Sequence, residues 1–517
     1  MTTNYNLAFP FYESARRFPD RLAICADGQE FTYKEVLEEV VRVASWMSSG
    51  GTPPKRVGIL ASRSSDACIG ILAATFTGAA YFPINLALPE AGVIGIITRS
   101  GLDAVIADAT GSKMLSANVL AACPAMVLAR PAHLPAPAGS RITDFDDLPP
   151  AASFTEPALV ERDDIGYVIY TSGSTGVPKG VVYPAGAVDH LWWALDQNYP
   201  LSEHDRAAET SATSFDISVY NMFSTWRAGA SLHIVPPNQV MAPAKFIQKQ
   251  QLTLWYSVPS IAAFMSRLGL LKPGAFPTLR QSFFAGEPLL TSIAAAWQVA
   301  APSSIVSNMY GPTEAQMCTG EDYGPNCAVT RDCIAIGRPY PGMKAAVATP
   351  ELRWVADGEN GELLLGGPQL ALGYLDDEEK TRRSYVMIDG ERWYRTGDLS
   401  HIDRNGVIHY LGRIDHQVKV LGYRVELGEI ESHLRDVTGC NIVAAVAWPL
   451  VDGSATGVTA FHCAPGITRE VIREEMKKRV PDYMVPVRVF CLDDLPLGST
   501  GKTDRNALVR MLDEGKL

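Results

Sequence analysis

No stretch of about 18 apolar residues occurs in the chain, and the nearest, Gly58 to Ala73, is broken by Arg63, Ser64, Ser65 and Asp66; this excludes a membrane-spanning helix. The first twenty residues, MTTNYNLAFPFYESARRFPD, lack a basic segment followed by an apolar run and read as no secretory signal. Positive charge is in deficit. Lys and Arg number 45 against 56 Asp and Glu, a net charge of −11, so no overall cationic field exists to hold nucleic acid or an anionic membrane. The nine cysteines, at 25, 68, 123, 318, 327, 333, 440, 463 and 491, include no C-x-x-C pair. Neither a zinc site nor a disulfide framework fits that scatter, and the expectation is reduced, buried thiols. Internal repeats and long low-complexity tracts are also missing. These absences point to a soluble, cytoplasmic, globular protein with no nucleic-acid partner and no membrane insertion.

What is present is core material: 47% of the 517 residues are hydrophobic and 20% charged, enough for roughly three units at about 150 residues each. Residues 128–160, rich in Pro and Ala, read as a connector before a new unit. Beyond it the pattern is regular. Leu252–Tyr256, Ser282–Ala285 and Ser304–Met309 are short and β-prone, and Val258–Leu268 and Leu289–Val299 between them have helical spacing. Such alternation predicts an α/β fold with β-α-β units and a buried parallel sheet. Ligands of such sheets bind beyond the carboxyl ends of the strands, where this chain places YSVPS (256–260), AGEPL (285–289) and YGPTE (310–314). After about residue 411 the pattern becomes a small α+β unit, with helices at Glu426–Arg435 and Arg469–Arg479 and strands at Asn441–Trp448 and Val458–Cys463. The expected division is a large N-terminal portion, 1–411, and a C-terminal domain, 412–517.

The densest chemistry lies at Tyr170–Gly180, YTSGSTGVPKG. Glycines let the backbone turn its N–H groups to an anion, Thr171, Ser172, Ser174 and Thr175 add hydroxyl donors, and Lys179 adds charge, a combination suited to polyphosphate. It is not a Walker loop, because Pro178 stands where glycine must precede the lysine. Gly501-Lys502-Thr503 is no Walker loop either, since Pro496 replaces its first glycine, and no G-x-G-x-x-G dinucleotide fingerprint occurs.

TSGSTGVPKG resembles the phosphate-loop signature of the adenylate-forming superfamily. The chain is similar to the amino-acid adenylation domains of nonribosomal peptide synthetases and to D-alanine–carrier protein ligases. The matching segments follow in order: FTYKE (31–35), TGAAYFPIN (77–85), FDISVYNMF (215–223), NMYGPTE (308–314), GELLLGGPQLALGY (361–374), YRTGDL (394–399), GRIDHQVKVLGYRVELGEIE (412–431) and PLGSTGKTDR (496–505).

The resemblance implies an AMP-forming ligase that couples an amino acid to ATP with Mg²⁺, releases pyrophosphate, and loads the phosphopantetheine thiol of a carrier protein. It implies that Lys502 is catalytic, bridging substrate carboxylate and α-phosphate. ATP would be held by Thr171, Ser172, Gly173, Ser174, Thr175, Gly176 and Lys179, by Gly286, Glu287 and Pro288, and by Asn308, Tyr310 (on the adenine), Gly311 and Thr313 (on the α-phosphate). Asp398 would accept the ribose hydroxyls beside Arg413. Glu314 would hold the metal, a hard ion wanting oxygen ligands. Asp415 matches the hinge about which the small domain swings, and Gly422 the position where a side chain would obstruct the thiol's channel.

Asp216 matches the aspartate that pairs with a substrate α-ammonium, and a buried carboxylate without a partner is costly; alternatively it caps the helix starting near Ile217. The remaining specificity positions are Ile217, Tyr220, Tyr256, Phe283, Ala285, Met309, Met317 and Cys318. They carry no second charge and much volume, so a compact apolar amino acid is expected, proline first and alanine second. The absence of a G-G-x-S phosphopantetheine site and of a condensation motif reads as a freestanding enzyme with its carrier on another chain. The rivals are an acyl- or aryl-CoA ligase and a degenerate adenylate-binding scaffold.

Overall fold

The computed structural model describes residues 3–130, 141–150, 156–172, 178–414, 417–451, 454–496 and 503–517. Among these, nine strands form one sheet and eight another. In the first, Leu22–Ala26, Ser231–Ile234, Arg206–Glu209, Leu254–Ser257, Gln281–Ala285 and Ile305–Tyr310 run parallel in that spatial order. In the second, the parallel strands are Ile165–Thr171, Ala80–Pro83, Arg56–Leu60, Ala104–Ala107, Met126–Ala129 and Arg141–Asp144. Helices Pro259–Arg267 and Thr291–Ala300 join strands of the first sheet, so the β-α-β alternation is observed within a few residues of the expected ends.

Helix Ser65–Phe76 is buried along almost its whole length, because it packs on Arg56–Leu60 of one sheet and Leu22–Ala26 of the other. An apolar surface on all sides is the sequence counterpart of that position. The FTYKE segment has a local role as well. Thr32 Oγ1 accepts the Glu35 N–H at 3.2 Å and Glu35 Oε2 accepts the Thr32 N–H at 2.8 Å, a capping box that starts helix Tyr33–Met47. The buried Tyr33 hydroxyl then donates to the Ala230 carbonyl at 2.7 Å.

The expected connector is partly strand. Arg141–Asp144 adds to the edge of the second sheet, and the chain returns to that sheet's middle through Ile165–Thr171. No new unit begins there; the Pro- and Ala-rich composition marks a break in the ladder, which is not the same as a break between cores. All nine cysteines are free, but only Cys25, Cys68 and Cys318 are buried, and Cys491 is exposed. No helix among the described residues is long and apolar enough to cross a membrane.

A third sheet carries Gly361–Gly366 and the long strand Glu391–Ile402, which pairs with Ile408–Arg413. Beyond it lies a C-terminal subdomain. Its hairpin Gln417–Val420/Tyr423–Glu426 precedes a sheet of Val443–Ala447, Val458–His462 and Arg488–Cys491, with helices Leu427–Thr438, Arg469–Lys477 and Arg505–Asp513 around it. Two apolar clusters in this region draw all their members from residue 418 onwards.

Candidate active site

Sheet register stacks Tyr256 beside Phe283 and Ser307, and one step further along the same face places Ala285 beside Met309. Alternation of side chains across a strand makes Ala285 and Met309 the lip and Tyr256 and Phe283 the layer beneath. A cleft of about 1080 Å³ opens over this edge, closed from the opposite side by the hairpin of the C-terminal subdomain. Gly311 bends the chain away after Tyr310; a Cβ there would fall 1.4 Å from the Gln316 carbonyl oxygen, so YGPTE admits only glycine at that point.

On one wall, Asp398 and Tyr310 meet. The Tyr310 hydroxyl donates to Asp398 Oδ2, and Arg413 donates to Oδ1 at 2.8 Å and to the Thr396 carbonyl at 2.8 Å. Burial raises the Asp398 carboxyl above its usual range against the pull of Arg413. Asn308, on the same strand edge, donates from its amide to the Ile334 and Ala335 carbonyls, both at 3.0 Å, and so anchors that segment. Glu287 accepts the Ser260 N–H at 3.0 Å through Oε2, while its buried Oε1 has no partner among the described residues. Thr171 Oγ1 is likewise buried and unpartnered among them. Gly286 and Pro288 also line the cleft.

Asp216 is the first residue of helix Asp216–Arg227. The cap position is Phe215, with no side-chain cap, so the capping alternative does not hold. Burial raises the Asp216 carboxyl; Lys419 and a hydrogen bond with Thr313 oppose the rise. Thr313, expected on the α-phosphate, lines the cleft together with Asp216. Lys419 also lines the cleft, where burial and the Arg424 charge lower its ammonium against the charges of Asp216, Glu287 and Asp398.

Glu314 lies behind the cleft wall, 0% exposed. Arg424 donates to its Oε2 at 2.7 Å, Lys179 Nζ stands 3.3 Å from Oε1, and the Tyr374 hydroxyl donates to Oε1 at 2.8 Å. Burial works to raise this carboxyl, but Arg424 and Lys179 outweigh it and hold the group well below the usual carboxylate range. The same burial, with Arg424 adding, pulls Lys179 down to about 8. Both Glu314 oxygens are therefore taken. Among the described residues no group of three or more His, Cys, Asp or Glu is placed to hold a metal. As placed, Glu314 does not fit a Mg²⁺ ligand, because two cations already neutralise it.

Of the specificity positions, Asp216, Ile217, Tyr256, Ala285, Met309 and Met317 line the cleft; Tyr220, Phe283 and Cys318 lie outside its lining and are buried. Gly422 lines it from the hairpin, at φ +82° and against Val258. Gly173, Ser174, Thr175, Gly176, Asp415 and Lys502 lie outside the described residues.

Lys419, Arg424 and Tyr374 have no role that the sequence motifs assign. A signal for the first two was available: Val418, Val420 and Val425 pack into the subdomain core, so alternation turns Lys419 and Arg424, a cross-strand pair, to the other face.

The AMP-binding enzyme family model matches residues 11–375. Phosphinothricin tripeptide synthetase PhsC of Streptomyces viridochromogenes is 33% identical over 511 residues, covering 96% of this chain and 44% of its own length. AMB antimetabolite synthetase AmbB of Pseudomonas aeruginosa is 33% identical over 509 residues, covering 97% of this chain and 38% of its own. The chain thus spans less than half the length of these curated relatives. Among solved structures, the Vibrio cholerae adenylation domain AlmE, in complex with glycyl-adenosine-5'-phosphate, superposes with a TM-score of 0.88 at 29% identity over 99% of both chains. The chain belongs to the AMP-binding enzyme family and has the adenylation-domain fold of an AMP-forming ligase.

Proposed function

We propose that the chain activates an amino acid as its aminoacyl-adenylate and passes the acyl group to the phosphopantetheine thiol of a carrier protein. A carboxylate oxygen of the amino acid attacks the α-phosphorus of ATP, and the bond to pyrophosphate breaks. A thiolate then attacks the acyl carbon, and AMP leaves. Charge builds on phosphate and acyl oxygens, so the protein's contribution is positioning and electrostatic stabilisation.

The observation that carries this reading is Asp216. It is a carboxylate raised by burial, facing a cleft, with a cation as its electrostatic partner. A substrate α-ammonium would pair with the Asp216 carboxylate, a partner that a carboxylic acid without an amine cannot supply. The Asp398–Arg413–Tyr310 group suits a ribose and a flat base, and Lys502 is assigned the α-phosphate by its motif. That AlmE holds glycyl-adenosine-5'-phosphate supports the first product. The carrier step rests on the resemblance of the sequence motifs; PhsC, of which this chain spans less than half, is by its name a tripeptide synthetase. Residues 1–411 would form the large portion and 412–517 the mobile one, a division supported by the separate apolar clusters beyond residue 418. The side chain accepted is compact and apolar, within the class that includes proline and alanine.

Amino-acid-dependent exchange of pyrophosphate into ATP tests this directly. The folded protein should show exchange with at least one α-amino acid, and Asp216→Ala should lose it. Exchange with aryl or fatty acids and with no amino acid would move the activity to a CoA ligase, and no exchange at all would remove the enzyme reading.

A further inference from the structure

We infer that the substrate side-chain pocket is only one layer deep, closed by Tyr256 and Met317, and that it admits glycine or alanine and excludes proline and larger side chains. This rests on the amino-acid reading of the cleft and narrows it.

A cavity preformed for a side chain leaves accessible surface on the residues that wall it. Here the walls have almost none: Tyr256 is 0% exposed, Met309 1%, Met317 4% and Ala285 6%. The cause is a contact across the pocket, where the Tyr256 hydroxyl meets Met317 Sδ. Tyr220, Phe283 and Cys318 are buried and do not line the cleft. Cys318 instead turns its thiol to the Tyr310 carbonyl at 3.5 Å.

Tyr256 has no room to withdraw. Its carbonyl accepts the Thr210 hydroxyl at 2.6 Å. Its ring meets Phe283 edge-on at 5.9 Å and Tyr220 at 6.2 Å. Phe283 in turn is edge-on to Tyr199 at 4.9 Å, whose hydroxyl is held by Asp322 at 2.7 Å and Ser307 at 3.0 Å. Displacing Tyr256 therefore means displacing a four-ring cluster at crystal-like packing density. Met317, unbranched and flexible, is the removable half of the closure. Glycine needs no pocket and alanine needs space for one methyl; the three ring methylenes of proline need more than the closure leaves.

Pyrophosphate exchange with glycine, L-alanine, L-proline and L-leucine, on the full chain, reads the limit. Glycine or alanine should exceed proline and leucine in kcat/KM by on the order of 100-fold. Met317→Ala should raise proline or leucine relative to glycine by about tenfold or more. A second measurement, thermal stabilisation of the wild-type protein by non-hydrolysable glycyl, alanyl, prolyl and leucyl sulfamoyl-adenosines, needs no variant and no turnover; the two small analogues should stabilise most. Wild-type preference for proline or leucine in either assay, or an unchanged ratio in folded Met317→Ala, overturns the size limit and leaves amino-acid activation standing. Absence of exchange with every amino acid overturns the amino-acid reading itself.

Discussion

Arg424, in the hairpin of the C-terminal subdomain, donates to Glu314 Oε2 at 2.7 Å across 110 residues of sequence. The ion pair is formed with the cleft face of that hairpin turned onto the large portion, and a second bond, from Ser172 Oγ to the Arg424 carbonyl at 2.8 Å, accompanies it. With Lys179 on its other oxygen, Glu314 is a buried anion stabilised from both units of the chain. The arrangement therefore couples subdomain orientation to the charge around Glu314.

Arg424→Met should loosen that orientation, since breaking a buried pair costs roughly 3–5 kcal/mol. Acyl transfer to the carrier thiol should fall by at least about tenfold, the equivalent of roughly 1.4 kcal/mol, with pyrophosphate exchange much less affected. Separate single-turnover assays of the two half-reactions decide it. Equal losses in both would place Arg424 in overall stability and remove it from orientation.

Gly422 is the second point of docking. It sits at φ +82°, and a Cβ there would lie 2.8 Å from Val258 Cγ1. Gly422→Ala should add roughly 1–2 kcal/mol of backbone strain as well as the collision, and so depopulate this orientation. Small-angle scattering or limited proteolysis of the subdomain should register the change. Val258→Ala in the same chain should restore part of the docking, because it relieves the collision and leaves the strain; no restoration would mean that the contact is not the cause.

Glu209, at the end of strand Arg206–Glu209, gives a pH signature. Burial pushes its carboxyl up to about 7 from an ordinary 4.5, against the Ser211 N–H and Arg63. Between these values the folded state keeps a proton that the unfolded state has lost. The stability tied to the neutral form is full below about 4.5 and is lost as pH rises through 7. Glu209→Gln, which cannot ionise, should gain on the wild type by roughly 2–3 kcal/mol between pH 5 and pH 8. Urea unfolding at the two pH values measures it, and a gap that does not change with pH would show that Glu209 does not titrate in this window.

Much of the fold is legible in the residues alone. The alternation from residue 252 to 309 names its own strands and helices, because hydrophobic period and turn residues act over a few positions. The binding rim is legible for the same reason: strand ends are where Gly, Pro and polar residues accumulate. The Pro- and Ala-rich stretch misleads, since Arg141–Asp144 is an edge strand whose partner, Met126–Ala129, alone makes it one.

By itself, the sequence determined the strand–helix order, the family motifs and the carboxylate at Asp216. Only the tertiary structure decided which charges meet. Arg424 takes a Glu314 oxygen where a metal was expected, Lys179 stands at the other, the Tyr256 hydroxyl meets Met317 Sδ, and three expected pocket residues are buried outside the cleft lining. The physical reason is range. Propensity and periodicity are set by neighbours along the chain, while a partner 110 residues away is chosen by how whole units dock and by which buried charges that docking can neutralise.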